Sequence, residues 1–185
     1  MYMELVKNIK QSELVKNIFY ALIGTLILAV SSKIKIPFYP VPMTMQTFVV
    51  LFIGVAFGWK LGVATVSLYL FEGIIGLPVF SGTPEKGLGI VYFTGPTMGY
   101  LIGFLFTIFL AGHFKYGKNL ISNFIKLAFA TSFIYFIGII WLGTLIGWDK
   151  PIFKLGAQPF LLAELFKVLL ITLMASKIKK IREII

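Results

Sequence analysis

The sequence predicts an all-α, polytopic membrane protein: six transmembrane helices around an outward-facing ligand cavity capped by loops. Three observations predict it. The 185 residues are 58% hydrophobic and 13% charged, with a mean hydropathy of +0.94, where a soluble domain runs near 45–50% apolar and about 25% charged. Apolar runs long enough to cross a bilayer recur, parted by charge, proline and glycine, and the cations gather on alternate connections. With 19 Phe and 18 Gly, too little polar surface remains to face water. The lack of cysteine excludes a disulfide framework, a thiolate metal site and a cysteine nucleophile.

A spanning helix needs roughly 20 mostly apolar residues, within about 17 to 25. The first run lies between Lys16 and Lys33, the second covers Met43 to Gly58, and the third follows Lys60 to Leu77. The fourth opens on Pro96, a residue suited to a first helical turn, and ends at Gly112. The fifth covers Leu127 to Gly147 beside Trp148, and the sixth runs from Pro159 to Ser176. Residues 1–16 mix Lys with Glu and lack a clean small-residue cleavage site, so they read as a retained cytoplasmic helix at the interface, not a signal peptide. No composition shift divides the chain. Residues 1–185 form one six-helix membrane domain.

The formal net charge of +10 would by itself suit nucleic acid. Its distribution argues otherwise. With both termini cytoplasmic, eleven of the 17 cations fall inside: Lys7, Lys10, Lys16, Lys60, Lys115, Lys118, Lys126, Lys177, Lys179, Lys180 and Arg182. Lys33, Lys35, Lys86, Lys150 and Lys154 fall outside, and Lys167 lies within a span. Cytoplasmic loops carry such an excess. The charge therefore reports topology and attraction to anionic lipid, and no nucleic-acid partner is expected.

Two outer loops are unusual. The first, KIKIPFYPVPMTMQ, sets Pro37, Pro40 and Pro42 among apolar residues, forcing extended backbone. The second, PVFSGTPEKGLGIVYFTG from Pro78 to Gly95, is rich in glycine. Irregular backbone at membrane depth survives where protein buries it or where it lines a cavity. Both loops are expected to lid an outward cavity.

Three ionisable residues lie inside spans, Glu72, Glu164 and Lys167, where a charge costs about 2.5 to 3.5 kcal/mol on insertion scales. Glu164 and Lys167 are spaced i, i+3 on one helix face. They either present an acceptor and a donor to a polar ligand group or neutralise each other. Glu72 alone is a weak site candidate. Ala21, Thr25 and Ala29 recur every fourth position on the first span, a stripe that admits close helix approach, internally or by a partner; Gly99 and Gly103 suit internal packing. Trp59 reads as an interfacial anchor, and His113 ends the fourth span on the cytoplasmic side.

Little points to catalysis. There is no phosphate loop, no dinucleotide fingerprint and no second histidine for a metal site. A Ser81–Lys167 dyad is the one hydrolytic arrangement the spacing admits, and it makes an intramembrane hydrolase the lesser alternative.

The segments PVPMTMQTF at 40–48, GLPVF at 76–80 and GPTMGYLIGF at 95–104, followed by AELFK, resemble the BioY family, the biotin-specific substrate-binding subunits of energy-coupling-factor transporters. The likeness spans roughly residues 37 to 176. It implies a six-helix membrane protein of the cytoplasmic membrane that takes biotin from outside as a transported ligand, not a cofactor. The implied partners are a transmembrane coupling subunit and two cytoplasmic ATPase subunits. In the family an Asp-x-x-Lys pair on the sixth helix contacts the ligand; Glu164 and Lys167 stand at those positions, the acid one methylene longer. The family also docks its coupling subunit through small residues on the first helix, which Ala21, Thr25 and Ala29 resemble. Biotin would find N–H acceptors and donors at Glu164 and Lys167, further polar partners at Ser81, Thr83, Gln46 and Tyr100, and apolar contacts at Phe80 and Phe93. A subunit for another vitamin, such as riboflavin or thiamine, is the nearest alternative.

Overall fold

The computed structural model describes residues 2–183 and 185, with side chains from Glu13 onward. The interfacial placement expected for residues 1–16, Lys7 and Lys10 included, falls largely on side chains outside the described residues. Helix α1 (Tyr2–Lys33) leads into a short antiparallel ribbon, β1 (Lys35–Ile36) against β2 (Met43–Thr44), with Lys35 opposite Thr44. Helix α2 (Gln46–Ile74) follows, then an irregular lid that ends in a 3-10 turn (Gly89–Thr94). Helices α3 (Met98–His113), α4 (Leu120–Ile146), α5 (Ile152–Gly156) and α6 (Leu161–Ile178) complete the chain, and the tail ends in a 3-10 turn (Lys179–Glu183).

Helix α2 is two rods, because Gly58 adopts φ 75° and ψ 176°, a conformation only glycine reaches without strain. The amide of Gln46 lies 2.7 Å from the hydroxyl of Tyr69, and a Cβ placed on Gly62 would stand 3.8 Å from the Cα of Gly54. In one continuous helix those pairs would be about 35 Å and about 12 Å apart. The arms, 46–57 and 59–74, therefore run back along each other. The described residues thus build six apolar rods: α1, the two arms of α2, α3, α4 and α6.

The break leaves the last carbonyls of the first arm without helical partners. Arg182 from the tail supplies them, its Nε donating to the Val55 carbonyl at 2.7 Å and its Nη2 to the Gly54 carbonyl at 2.9 Å. A residue that reads as topological charge is thus a helix cap. On the other side of the apex Gly112 abuts the backbone of Trp59.

Helix α3 lies against both α2 and α4. Gly103 permits the α4 contact, since a Cβ there would stand 2.6 Å from the Cα of Ile134, and Gly99 packs against Gly138 and Trp141. Helix α4 begins at Leu120, ahead of the expected Leu127, because the Asn119 side chain caps it by accepting from the Ser122 N–H at 3.0 Å. Lys126 then sits within the helix and reaches out to the Lys115 carbonyl at 2.8 Å.

The small-residue stripe of α1 is internal. Ala21 and Thr25 are buried and Ala29 packs against the core, because the notch at Gly24 receives the Thr65 methyl at 2.5 Å from where a Cβ would sit. The side chains α1 leaves exposed are larger, among them Leu22, Leu26 and Val30. Of the stripe, Ala29 is the residue left partly open.

Removing the Arg182 cap exposes two carbonyls to an apolar surround, a loss of about 2 kcal/mol. Arg182→Ala is expected to lower the melting temperature of the detergent-solubilised protein, and an unchanged transition would show the cap to be idle.

Candidate functional site

Helix α6 begins at Leu161, so Glu164 and Lys167 occupy its first two turns and point one above the other toward the start of α2. Both are buried, 5% and 6% exposed. Lys167 Nζ lies 2.6 Å from Glu164 Oε1, 2.9 Å from Thr47 Oγ1 and 2.6 Å from the Thr44 carbonyl. An ammonium has three donors, and all are engaged. Thr47 in turn donates its hydroxyl proton to Glu164 Oε1 at 2.7 Å. Three elements, α6, the first arm of α2 and β2, therefore meet in one hydrogen-bonded triangle.

One oxygen stands apart. Glu164 Oε2 is buried without a hydrogen bond, and so is Ser81 Oγ in the lid. Both residues line the same cleft, together with Thr44, Gln46, Thr47, Tyr92, Thr97, Tyr100, Leu101, Phe104, Ile134, Tyr135 and Phe160. About 530 Å³ of it is free of protein atoms, counting the mouth, while the narrow interior leaves about 50 Å³ for water-sized molecules. The walls are aromatic: Tyr135 meets Tyr100 edge-on at 6.2 Å and stacks on Phe160 at 6.3 Å. Tyr135 also comes within electrostatic reach of Glu164, although no hydrogen bond meets Oε2. Concave, mostly apolar walls with a few convergent polar atoms suit a small-molecule ligand.

The lid is tied to the end of α1. Lys33 donates to the carbonyls of Phe80 at 2.8 Å and Thr83 at 3.0 Å, and Lys35 to that of Ser81 at 2.6 Å. Ser32 and Tyr69 both donate to the Val79 carbonyl, at 2.8 and 2.9 Å. These bonds answer the polar backbone of a loop that has no ladder or helix of its own. They also fix where the Ser81 hydroxyl sits.

Of the residues predicted for the site, Glu164, Ser81, Gln46 and Tyr100 line the cleft. Gln46 is partly engaged in holding Tyr69, and the Tyr100 hydroxyl donates to the Gly156 carbonyl at 2.8 Å, leaving its ring as the exposed feature. Lys167 stands behind the carboxylate, toward a membrane-facing groove between the ribbon and α6. Phe80, Thr83 and Phe93 are not in the lining. Phe80 stacks on Tyr92 at 4.8 Å and meets Phe93 at 5.4 Å, and Thr83 donates to the Phe80 carbonyl at 2.8 Å, so all three build the lid. Glu72 is half-buried and outside the cleft. Thr47, Thr44, Tyr135 and Phe160 were not singled out by the sequence; their position follows from contacts across the fold. Among the described residues no group of His, Asp or Glu is placed to hold a metal ion.

The BioY family model matches residues 4–183. The biotin transporter BioY of Thermotoga maritima is 32% identical over 160 residues, 86% of this chain and 93% of that one. The biotin transporter BioY2 of Lactococcus lactis is 34% identical over 155 residues, 82% of this chain and 83% of its own. The crystal structure at 2.1 Å of the S-component for biotin from an ECF-type ABC transporter superposes with a TM-score of 0.76 at 28% identity, covering 91% of this chain and 93% of that chain.

Breaking a buried pair by removing one partner leaves an uncompensated charge, at a cost of about 3–5 kcal/mol, while replacing both with apolar residues is often near neutral. Lys167→Met is therefore expected to melt well below wild type, and Glu164→Leu/Lys167→Met above it. Additive losses in the double variant would contradict the pairing.

Proposed function

The chain belongs to the BioY family, and on that premise we propose that it captures biotin on the outer side of the cytoplasmic membrane and works in its uptake. It does so as the substrate-binding S-component of an energy-coupling-factor transporter. The observation that carries the reading is that Glu164 and Ser81, each with a buried oxygen that has no hydrogen bond, line the same aromatic cleft. Biotin offers two ureido N–H donors and one carbonyl acceptor on an apolar bicycle. An N–H pointed at Oε2 forms a charge-assisted hydrogen bond, and the Ser81 hydroxyl is free to donate to the carbonyl or accept the second N–H. The rings of Tyr92, Tyr100, Tyr135 and Phe160 cover the bicycle. Lys167 holds Glu164 in place.

The chain performs no covalent step. Lys167 has its three N–H bonds directed at acceptors and the carboxylate lies beside it, so it offers Ser81 no base. Energy for release to the cytoplasm comes from the partners, a transmembrane coupling subunit and two ATPase subunits. Both termini face the cytoplasm, and the antiparallel arms of α2 bring the number of crossings to six, placing the Gly58 apex, Arg182 and Lys60 on the inner side. That arrangement agrees with the excess of cations on the connections assigned to the cytoplasm.

Titration calorimetry of the detergent-solubilised protein should show tight biotin binding with the ligand recovered unchanged. Glu164→Ala should weaken it by about 100-fold, the loss of a hydrogen bond to a charged group together with its fixed geometry. Displacement of labelled biotin by riboflavin or thiamine, or unaltered affinity in Glu164→Ala, would overturn the reading.

A further inference from the structure

A carboxylate presents two equivalent oxygens, and the torsion that exchanges them is soft. In this site they are made unequal. Oε1 receives both Lys167 and the Thr47 hydroxyl, whereas Oε2 has no hydrogen bond on a residue that lines the cleft. The ammonium gives Oε1 one of its two donors, its other N–H bonds going to Thr47 and the Thr44 carbonyl. Thr47 gives the second and fixes its direction, for two reasons. It is on the first turn of α2, buried at 7% exposure, with a β-branched side chain restricted at χ1. Its one hydroxyl proton is also committed in direction: the oxygen accepts from Lys167 at 2.9 Å, so the proton can go only outward, to Oε1 at 2.7 Å.

We infer that Thr47 is a positioning residue that fixes which oxygen of Glu164 meets the ligand, and so makes the site select ligands carrying an N–H donor at that point. The ligand then faces an acceptor with no donor character. A cyclic urea with a free N–H fills it. A ligand bearing an acceptor or a methyl group there leaves Oε2 buried and unpaired, the situation in which polar sites discriminate most strongly. Tyr135 also comes up to the carboxylate from α4, with no hydrogen bond to Oε2.

The inference rests on the biotin reading for its choice of probe. Affinities for biotin and for biotin methylated at either ureido nitrogen are compared in wild type, Thr47→Val and Thr47→Ser, with melting temperatures confirming that each variant is folded. In wild type at least one methylated isomer should bind about 100-fold more weakly than biotin. Thr47→Val should weaken biotin by about tenfold and cut the biotin-to-methylbiotin ratio by a similar factor, and Thr47→Ser should restore both. An unchanged ratio in Thr47→Val, or a serine variant no better than valine, overturns the inference. A second measurement needs no ligand: the infrared carboxylate bands of Glu164, identified by their loss in Glu164→Gln, should be widely split in wild type and in Thr47→Ser, and drawn together in Thr47→Val. If wild type binds no biotin, the functional reading fails, while the infrared bands still decide the role of Thr47.

Discussion

The Glu164–Lys167 pair is a buried ion pair, and this constraint shapes the end of the molecule where the ribbon and the lid lie. An isolated charge in such surroundings would neutralise or withdraw. The pair is stable because Thr47 from α2 and the Thr44 carbonyl from β2 close the remaining hydrogen bonds. The ribbon, the first arm of α2 and α6 must therefore converge, and the cleft lies where they do. One acceptor is left over in that satisfied network. A group that could have been paired internally, at Oε2, borders the ligand space.

The same requirement explains the irregular backbone. Gly58 folds α2 back on itself and leaves open carbonyls, which Arg182 fills from the tail. The lid from Val79 to Thr83 has no regular structure, and its carbonyls are met by Ser32, Lys33, Lys35 and Tyr69. Two outer lysines, which look like loop charge, are thus struts that hold the Ser81 segment over the cleft.

The rods were legible in the sequence because each is an apolar run bounded by a cation, proline or glycine, and Gly58 marks the fold in α2 as the boundary between two such runs. The start of α4 was not, since Lys126 looks like an edge while its long stem lets it sit inside the helix and reach out. Helix α5, five residues long, has no periodicity to detect. In the site, Glu164 and Lys167 stand out because two charges share a face of an apolar helix. Thr47 does not: a threonine in a span is ordinary, and its importance comes from α6 lying beside it, a contact 117 residues away in sequence. The aromatic lining was hard to assign for a related reason. Phe80 and Phe93 turn into the lid while Tyr92, stacked on Phe80, reaches the cleft, and composition does not say which ring of an irregular loop faces which way.

If Glu164 Oε2 is the atom that reads the ligand, a structure of this chain with biotin bound will show it. A ureido nitrogen should lie about 2.7–2.9 Å from Oε2, the range of a charge-assisted N–H···O bond, with Thr47 and Lys167 still on Oε1. Biotin seated elsewhere, or an Oε2 still without a donor beside the bound ligand, would contradict it.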